Sequence, residues 1–297
     1  YHKYKTKNLC LAGGVALNCV SNSQINKLKL FDNIWVQPAA GDAGGALGAA
    51  LIGSYKKFEI KRNITKSDGM KNMYLGPKYS DHQIEETLKK YDILFEKYEI
   101  NKLLEQTAQL LSKGKIIGWF NGSMEFGPRA LGSRSIIADP RSPKMQEELN
   151  MKIKFREGFR PFAPAILLED LEEWFETNKE SPYMTFVEYI AESKRMKNAK
   201  NLELNGFESL KIKRSDVSAV THVDYSSRIQ TVRKDKNPRF YQLINEFKKI
   251  TGCPMIVNTS FNLKDEPIVC SPKDAIECFL KTNLDFLMIE DYCVWKS

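Results

Sequence analysis

Lys7-Asn8-Leu9-Cys10-Leu11-Ala12, followed by Gly13-Gly14 and then Val15-Ala16-Leu17-Asn18, decides the fold class of this chain. A short apolar run that ends on two glycines and passes into an amphipathic segment reads as a buried strand, a glycine turn and a helix beginning near Val15. A second unit of the same kind follows. Ile34-Trp35-Val36 leads through Gln37 and Pro38 into GDAGGALGAALIG at 41–53, whose small residues let a helix approach a sheet or a nucleotide closely. Strand, turn and helix in series argue an α/β class, with residues 1–55 reading as the end of such a domain.

Outward from there, residues 55 to 73 turn polar and Lys-rich with little periodicity, the composition of an interdomain connection. A boundary at residue 70 therefore separates 1–70 from 71–297. In the second part Ser80 with Gln83 forms a capping-box signature, Leu103, Leu104, Ala108 and Leu111 mark an amphipathic helix, and 115–120 reads as a strand. Ser142-Pro143, Asn237-Pro238 and Ser271-Pro272 each read as a helix start. Further strands are expected at 164–168, 186–191, 254–258, 284–289 and 291–295, which gives a mixed α+β second domain.

At 297 residues and 42% hydrophobic content the chain buries a sizeable core, so disorder is excluded. It begins at Tyr1 without an initiator Met, a basic-apolar leader or an apolar run long enough for a bilayer, so the expectation is a soluble cytoplasmic protein and a piece of a longer one. The net charge of +8 is spread along the chain; it suits anionic ligands without choosing among nucleic acid, lipid and phosphorylated small molecules, and it also suits a merely solvated exterior. Six cysteines without a CxxC, in segments that otherwise look like core, point to reduced structural thiols, and His2, His82 and His222 sit at no metal-binding spacing.

Five stretches hold residue types that carry chemistry, and each has a plain structural alternative. Gly13, Gly14 and Asn18, with Gly41, Asp42, Gly44 and Gly45, can present amides to phosphate and a carboxylate to a cation, or simply allow tight packing. Arg129 and Arg134 lie among glycines at 122–135, where planar guanidiniums suit bidentate anion binding or a solvated loop. Lys152, Lys154, Arg156 and Arg160 lead into apolar Pro161, Phe162 and Ala163, placing fixed cations at a sheet edge or on an exposed helix end. His222, Asp224, Ser226, Arg228 and Gln230 share one face if 221–232 is extended, with His222 a weak candidate base. Asn258, Thr259, Ser260 and Asn262 close a strand with uncharged hydrogen-bonding groups, or form an ordinary turn.

Taken in order, AGGVALN (12–18), PAAGDAGGALGAAL (38–51), FGPRALGSRSI (126–136), KFREGFRPFAPA (154–165), VTHVD (220–224) with RIQTV (228–232), and NTSFN (258–262) resemble the NodU/CmcH-type O-carbamoyltransferase family, over nearly the whole chain. The resemblance implies the C-terminal part of an actin-like (ASKHA-type) ATPase-fold domain over 1–70, followed by a YrdC-like domain over 71–297. It implies that carbamoyl phosphate and ATP, with Mg2+, form carbamoyl-adenylate in the second domain, and that the carbamoyl group passes to a hydroxyl of a sugar or secondary metabolite in the first.

Carried over on the same resemblance, Lys154, Arg160, Arg228 and Ser260 match catalytic positions, and Arg129, Arg156 and Asn262 match nucleotide-site positions. Gly13, Gly14 and Asn18 match the phosphate turn of the first domain. Asp42 matches a metal-ligand aspartate whose partner histidines lie upstream in the family, so a divalent ion, iron among the candidates, is expected only in the full-length protein. Two alternatives stand beside this: threonylcarbamoyl-adenylate formation for tRNA modification, and a basic nucleic-acid-binding module. Cationic residues interleaved with exposed aromatics would mark the latter, and the aromatics here fall mostly at core-like positions. The acceptor and the oligomeric state, including a homo-oligomer, stay open.

Overall fold

The computed structural model describes residues 1, 3–63, 68–196 and 212–296, so His2 and positions 64–67 of the expected connection lie outside the described residues. The small unit has the expected strands, but the first is not the buried strand its apolar run suggests: β1 (Asn8–Leu11) and β2 (Asn33–Val36) pair in parallel as a sheet of two, with Leu11 opposite Val36, and exposed and half-buried residues alternate along β1. The helix expected from Val15 instead begins as a 3-10 turn over Gly14–Leu17, after Gly13 has turned the backbone at φ 92°. The α-helix proper, α1 (Cys19–Lys27), starts where Asn18 Oδ1 accepts the Ser21 N–H at 3.1 Å and satisfies an otherwise orphaned donor. In α2 (Asp42–Ile52) a Cβ on Gly44 would lie 2.2 Å from the Ala39 carbonyl oxygen, so glycine there is required by close approach.

The larger part contains α3 (Asp81–Leu88), β3 (Leu94–Lys97), α4 (Ile100–Ser112), β4 (Ile117–Phe120), β5 (Arg134–Ala138), α5 (Met145–Glu148), β6 (Ala163–Leu167) and α6 (Leu171–Trp174). After these come β7 (Val187–Tyr189), β8 (Ser226–Arg228), β9 (Gln230–Val232), α7 (Pro238–Thr251), β10 (Met255–Ser260), α8 (Pro272–Lys281), β11 (Phe286–Ile289) and β12 (Tyr292–Trp295). Eight strands form one mixed sheet in the order β3-β12-β11-β4-β5-β10-β6-β9, and β7 pairs with β8 apart from it. Helices α4 and α7 pack together, with α7 against β10 and β6, while α3 packs on α8, which lies against β11 and β4. The core runs through both helix pairs, with Leu103, Leu104, Ala108 and Leu111 of α4 fully buried as their spacing requires.

Most helix starts follow the sequence punctuation. Ser80 and Gln83 make a reciprocal capping box, Ser271 does the same with Asp274 ahead of Pro272, and Asn237 Oδ1 caps α7 by accepting the Phe240 N–H at 3.1 Å. Ser142-Pro143 is the exception. The helix there begins at Met145 with Lys144 at its cap and no side-chain cap bond, and after one turn it widens into a π-turn over Leu149–Ile153. The stretch 221–232 is also not one strand: the chain turns at His222–Tyr225, where Tyr225 has φ 65°, and then divides between β8 and β9. These two strands join different partners, β7 and β6, so the single shared face expected from alternation does not exist.

The small unit docks on the larger one through α1. Ser23 Oγ donates to the Val187 carbonyl at 2.9 Å and accepts the Val187 N–H at 2.8 Å, while Asn22 Nδ2 donates to the Thr185 carbonyl at 3.0 Å. Of these two buried residues of α1, Ser23 thus satisfies both backbone groups of Val187 in β7, and Asn22 a carbonyl just before that strand. Among the described residues no helix is long and apolar enough to cross a membrane.

Candidate active site

Where β6 begins and β10 ends, the two antiparallel strands place Ala163 opposite Asn258. A cleft of about 280 Å³ opens at that edge, with Arg129, Arg156, Arg160 and Arg228 among its lining residues, beside Asn258 and Ser260. Four guanidiniums that are separated by as many as ninety-nine positions in sequence, from 129 to 228, therefore share one hollow. Burial first and a neighbouring cation second lower two of them: burial, then Arg129, pushes Arg228 down to about 10, and burial, then Arg160, lowers Arg156. Burial also lowers Arg129. Cations held together with incomplete solvation are stabilised by an anion, which removes both penalties at once.

Each arginine is held by a different device. Arg129 Nη2 donates to the Leu17 carbonyl at 3.2 Å, a direct link from the glycine turn of the small unit to the cleft. The Arg156 guanidinium lies 5.1 Å from the centre of the Phe162 ring, and its Nε donates to Asn150 Oδ1 at 2.6 Å. Arg160 is paired with Glu157 at 2.9 Å and is half exposed at the mouth. Arg228 ends β8 and is separated from the start of β9 by Ile229 alone.

Lys154 sits at the edge of this cleft with 5% exposure. Its ammonium donates to the Ser260 carbonyl and hydroxyl at 2.5 and 3.3 Å and to the Asn262 carbonyl and amide oxygen at 3.1 and 2.8 Å. Burial, then Arg156, pushes it down to about 7, while these four oxygens oppose that by favouring the charged form. Ser260 Oγ is itself bonded to Asn262 Oδ1 at 2.7 Å, so the three residues form one unit. A second cleft, of about 400 Å³ and lined by Met124, Glu266 and Ile268 among others, continues from the first and shares Pro128 and Ser260 with it.

Of the residues singled out by sequence, Arg129, Arg156, Arg160, Arg228 and Ser260 thus line one cleft, and Lys154 and Asn262 are bonded to Ser260 at its edge. Gly13, Gly14, Asn18 and Asp42 do not line this cleft; they belong to the small unit, where Asn18 is the cap of α1 and Asp42 is exposed in the first turn of α2. Among the described residues no group of three or more His, Cys, Asp or Glu side chains converges to hold a metal ion.

Two other candidates take structural roles. Arg134 is fully buried, stacked 3.5 Å over Phe120, and spends its guanidinium on the carbonyls of Pro77, Asn121, Gly122, Ser133 and Cys270. Lys152 pairs with Glu148 at 3.7 Å on the helix surface. His222 lies in the turn beside Asp224 and Ser226, where burial pushes it below its usual value, and it does not line the cleft. The six cysteines are free as expected, although Cys10 is exposed and Cys19 and Cys270 are half-buried rather than in the core.

Family models match the chain in two blocks, carbamoyltransferase N-terminus over residues 1–51 and carbamoyltransferase C-terminus over residues 108–296. The chain belongs to the carbamoyltransferase family. An uncharacterised protein of Synechocystis sp. is 48% identical over 100% of this chain and 49% of its own length. Nodulation protein NolNO of Sinorhizobium fredii is 42% identical over 98% of the chain and 40% of its own length, and an uncharacterised protein of Methanocaldococcus jannaschii is 38% identical over 100% and 46%. The chain therefore spans about half the length of these curated relatives. Among solved structures, full-length HypF in its phosphate- and nucleotide-bound form aligns at a TM-score of 0.40 and 14% identity, over 66% of this chain and 22% of that one. A likeness at that level carries no argument.

Within this carbamoyltransferase-family chain, sequence reading missed Asn150 as an organiser of the cleft, whereas Gln230 and Asn258 were among the polar groups it singled out and here hold the loop of Arg129 in place. Asn150 Nδ2 donates to the carbonyls of Gln146, Gly158 and Arg160, which fixes the loop that carries Arg156 and Arg160. Gln230 Nε2 donates to the Leu131 carbonyl at 2.8 Å and Asn258 Nδ2 to the Ala130 carbonyl at 3.1 Å, anchoring the loop that carries Arg129. A polar residue at an otherwise apolar strand position was the available signal for Asn258, and the π-turn that aims Asn150 inward leaves no mark in the hydrophobic pattern.

Proposed function

We propose that the cationic cleft activates carbamoyl phosphate with ATP, forming carbamoyl-adenylate, and that the full-length protein passes the carbamoyl group to a hydroxyl of a sugar or secondary metabolite. The observation that carries this reading is the convergence of Arg129, Arg156, Arg160 and Arg228 on one hollow beside the buried Lys154. Joining a carbamoyl donor to a triphosphate brings like charges together, and fixed cations in one cleft offset that repulsion without reorganising. The step balances with one water: water takes up the phosphoryl group of carbamoyl phosphate by P–O cleavage, releasing inorganic phosphate and carbamate, the carbamate oxygen bonds to the α-phosphorus of ATP, and pyrophosphate leaves.

ATP, bound with Mg2+, fits the charge of the cleft, with the arginines on its phosphates and the adjoining cleft past Ser260 available to the nucleoside. In this reading residues 1–70 are the end of an actin-like ATPase-fold domain and residues 71–297 a YrdC-like domain. Support comes from membership of the carbamoyltransferase family and from the link between Leu17 and Arg129, which joins the two parts at the cleft. Gly13, Gly14 and Asn18 then serve a nucleotide in the first domain, where Asp42 requires partners beyond this chain to hold a metal.

The experiment that tests the reading is ATP–pyrophosphate exchange by this chain with and without carbamoyl phosphate, which needs no acceptor. Exchange that depends on carbamoyl phosphate is the expected result. A folded sample that binds ATP and shows no exchange removes the activation step from this chain.

A further inference from the structure

A cleft of about 460 Å³ lies at the seam between the two parts of the chain and shares no lining residue with the arginine cleft. Small-ligand sites span about 300–1,000 Å³, so it can seat one. Ile34 of β2 and Phe186, which directly precedes β7, give it an apolar lining and pack on the same small core of Ala16, Val36 and Ala40. Trp35 lines it as well: its indole is 41% exposed and is held by a T-shaped contact with the buried Tyr183 ring, 6.1 Å between centres.

Glu188 of β7, two positions beyond Phe186, faces the same cleft. Its carboxylate is half-buried and, among the described residues, accepts no hydrogen bond and joins no ion pair. Lys27, Lys179 and Lys29 act on it through space, but Lys27 Nζ donates to the Tyr189 hydroxyl at 3.1 Å and Lys179 Nζ to Asn26 Oδ1 at 3.2 Å. The other two acids of the cleft are already paired, Asp32 with Lys7 at 3.3 Å and Glu180 with Arg233 at 3.1 Å. Glu188 is thus the one carboxylate lining the cleft that still calls for donors, and burial holds it above its ordinary value.

The charges around Glu188 decide what kind of donor suits it. A phosphate or a carboxylate brings no donor and meets the acid with like charge. An ammonium donates, but it enters the field of three lysines. Neutral hydroxyls meet the carboxylate without either conflict. The indole beside them sets a second requirement, that the ligand carry an apolar face next to its hydroxyls. A pyranose ring has that composition, with C–H groups on its faces and hydroxyls around its rim.

We propose that the cleft between β2 and β7 is a binding subsite for a neutral sugar ring, with Trp35 against its C–H face, Glu188 accepting from its hydroxyls, and the Asn26 amide donating to a sugar oxygen. The assignment stands apart from the carbamoyl reading, since it concerns a different cleft and needs neither ATP nor carbamoyl phosphate.

The test is ligand-observed saturation-transfer NMR on the 297-residue chain, with methyl glucoside, methyl galactoside and methyl mannoside as probes. Glucosamine and glucose 6-phosphate serve as charged competitors for whichever glycoside binds. At least one neutral glycoside is expected to bind saturably with a Kd of about 1 mM or tighter, and to be displaced by either charged sugar only at about tenfold higher concentration than by the unlabelled neutral one. Trp35→Ala and Glu188→Gln are each expected to weaken that binding by about fivefold or more. Thermal unfolding identifies a variant that has lost its fold; the other variant and the charge order in the wild type then decide. No saturable binding by any of the three glycosides, displacement by a charged sugar as readily as by a neutral one, or undiminished binding in the folded variants overturns the assignment. None of these outcomes bears on the carbamoyl reading, which the exchange assay tests separately.

Discussion

Asn150 Oδ1 accepts a 2.6 Å hydrogen bond from Arg156 Nε, and the same side chain donates to the carbonyls of Gln146, Gly158 and Arg160 at 2.9, 3.1 and 2.8 Å. A wholly buried amide in a π-turn thus ties the last turn of one helix to both ends of the arginine loop. Its role is to hold two cations at fixed positions before any anion arrives.

Asn150→Ala removes that tie and leaves the Gly158 and Arg160 carbonyls without this donor. The expected cost is about 1–3 kcal/mol of stability, measured by chemical denaturation. Carbamoyl phosphate affinity should fall by about tenfold or more, because the loop arginines no longer meet the ligand preorganised. Unchanged affinity in a destabilised variant would show that the loop positions itself without Asn150.

Arg160→Ala and Asp42→Asn separate the two parts of the chain. Arg160 lines the cleft, whereas Asp42 sits exposed on α2. We expect Arg160→Ala to slow carbamoyl-phosphate-dependent exchange by at least about tenfold, a loss of roughly 1.4 kcal/mol, and Asp42→Asn to leave it nearly unchanged. Loss of exchange in a folded Asp42→Asn chain would contradict the division of roles between 1–70 and 71–297.

Much of this arrangement was legible in the sequence because it rests on local chemistry. Capping residues placed α3, α7 and α8, and runs such as Phe286–Ile289 announced strands by composition. The cleft arginines were found through motif order, since nothing local distinguishes Arg129, which faces the cleft, from Arg134 five positions later. That difference is tertiary: Arg134 enters β5, where five carbonyls and Phe120 surround it. Likewise the split of 221–232 depends on β7 and β6 offering two separate edges, which alternation along one strand cannot encode.

Glu125 offers a pH test of the loop behind Arg129. Its buried Oε1 accepts the N–H groups of Leu131 and Ser133, each at 2.7 Å, and of Arg134 at 3.3 Å, yet burial dominates and raises the carboxyl above its ordinary value of 4.5. A group raised in the folded state lends stability below its unfolded value and loses it as pH climbs through the folded one. Glu125→Gln keeps an acceptor and cannot ionise. Its stability relative to wild type should therefore grow from about pH 5 to about pH 8, followed by thermal unfolding at both values. A constant difference would place the charged carboxylate in the native loop.

Lys154 gives the matching test for the cleft itself. Burial first and Arg156 second push its ammonium from 10.5 down to about 7, against the pull of four oxygens from Ser260 and Asn262. For a base depressed in this way the folded state disfavours the charge, so its contribution to stability is complete above 10.5 and is lost as pH falls through about 7. Anion binding runs the other way, since the ammonium is the form that attracts phosphate. Sulfate, which does not titrate in this range, reads the side chain without interference from the ligand. Its affinity for the wild-type chain is expected to fall as pH rises from about 6.5 to about 9, while Lys154→Arg, charged throughout, shows a flat profile. A flat wild-type profile would mean that the Ser260 and Asn262 oxygens hold the proton and that Lys154 acts as a permanent cation of the cleft.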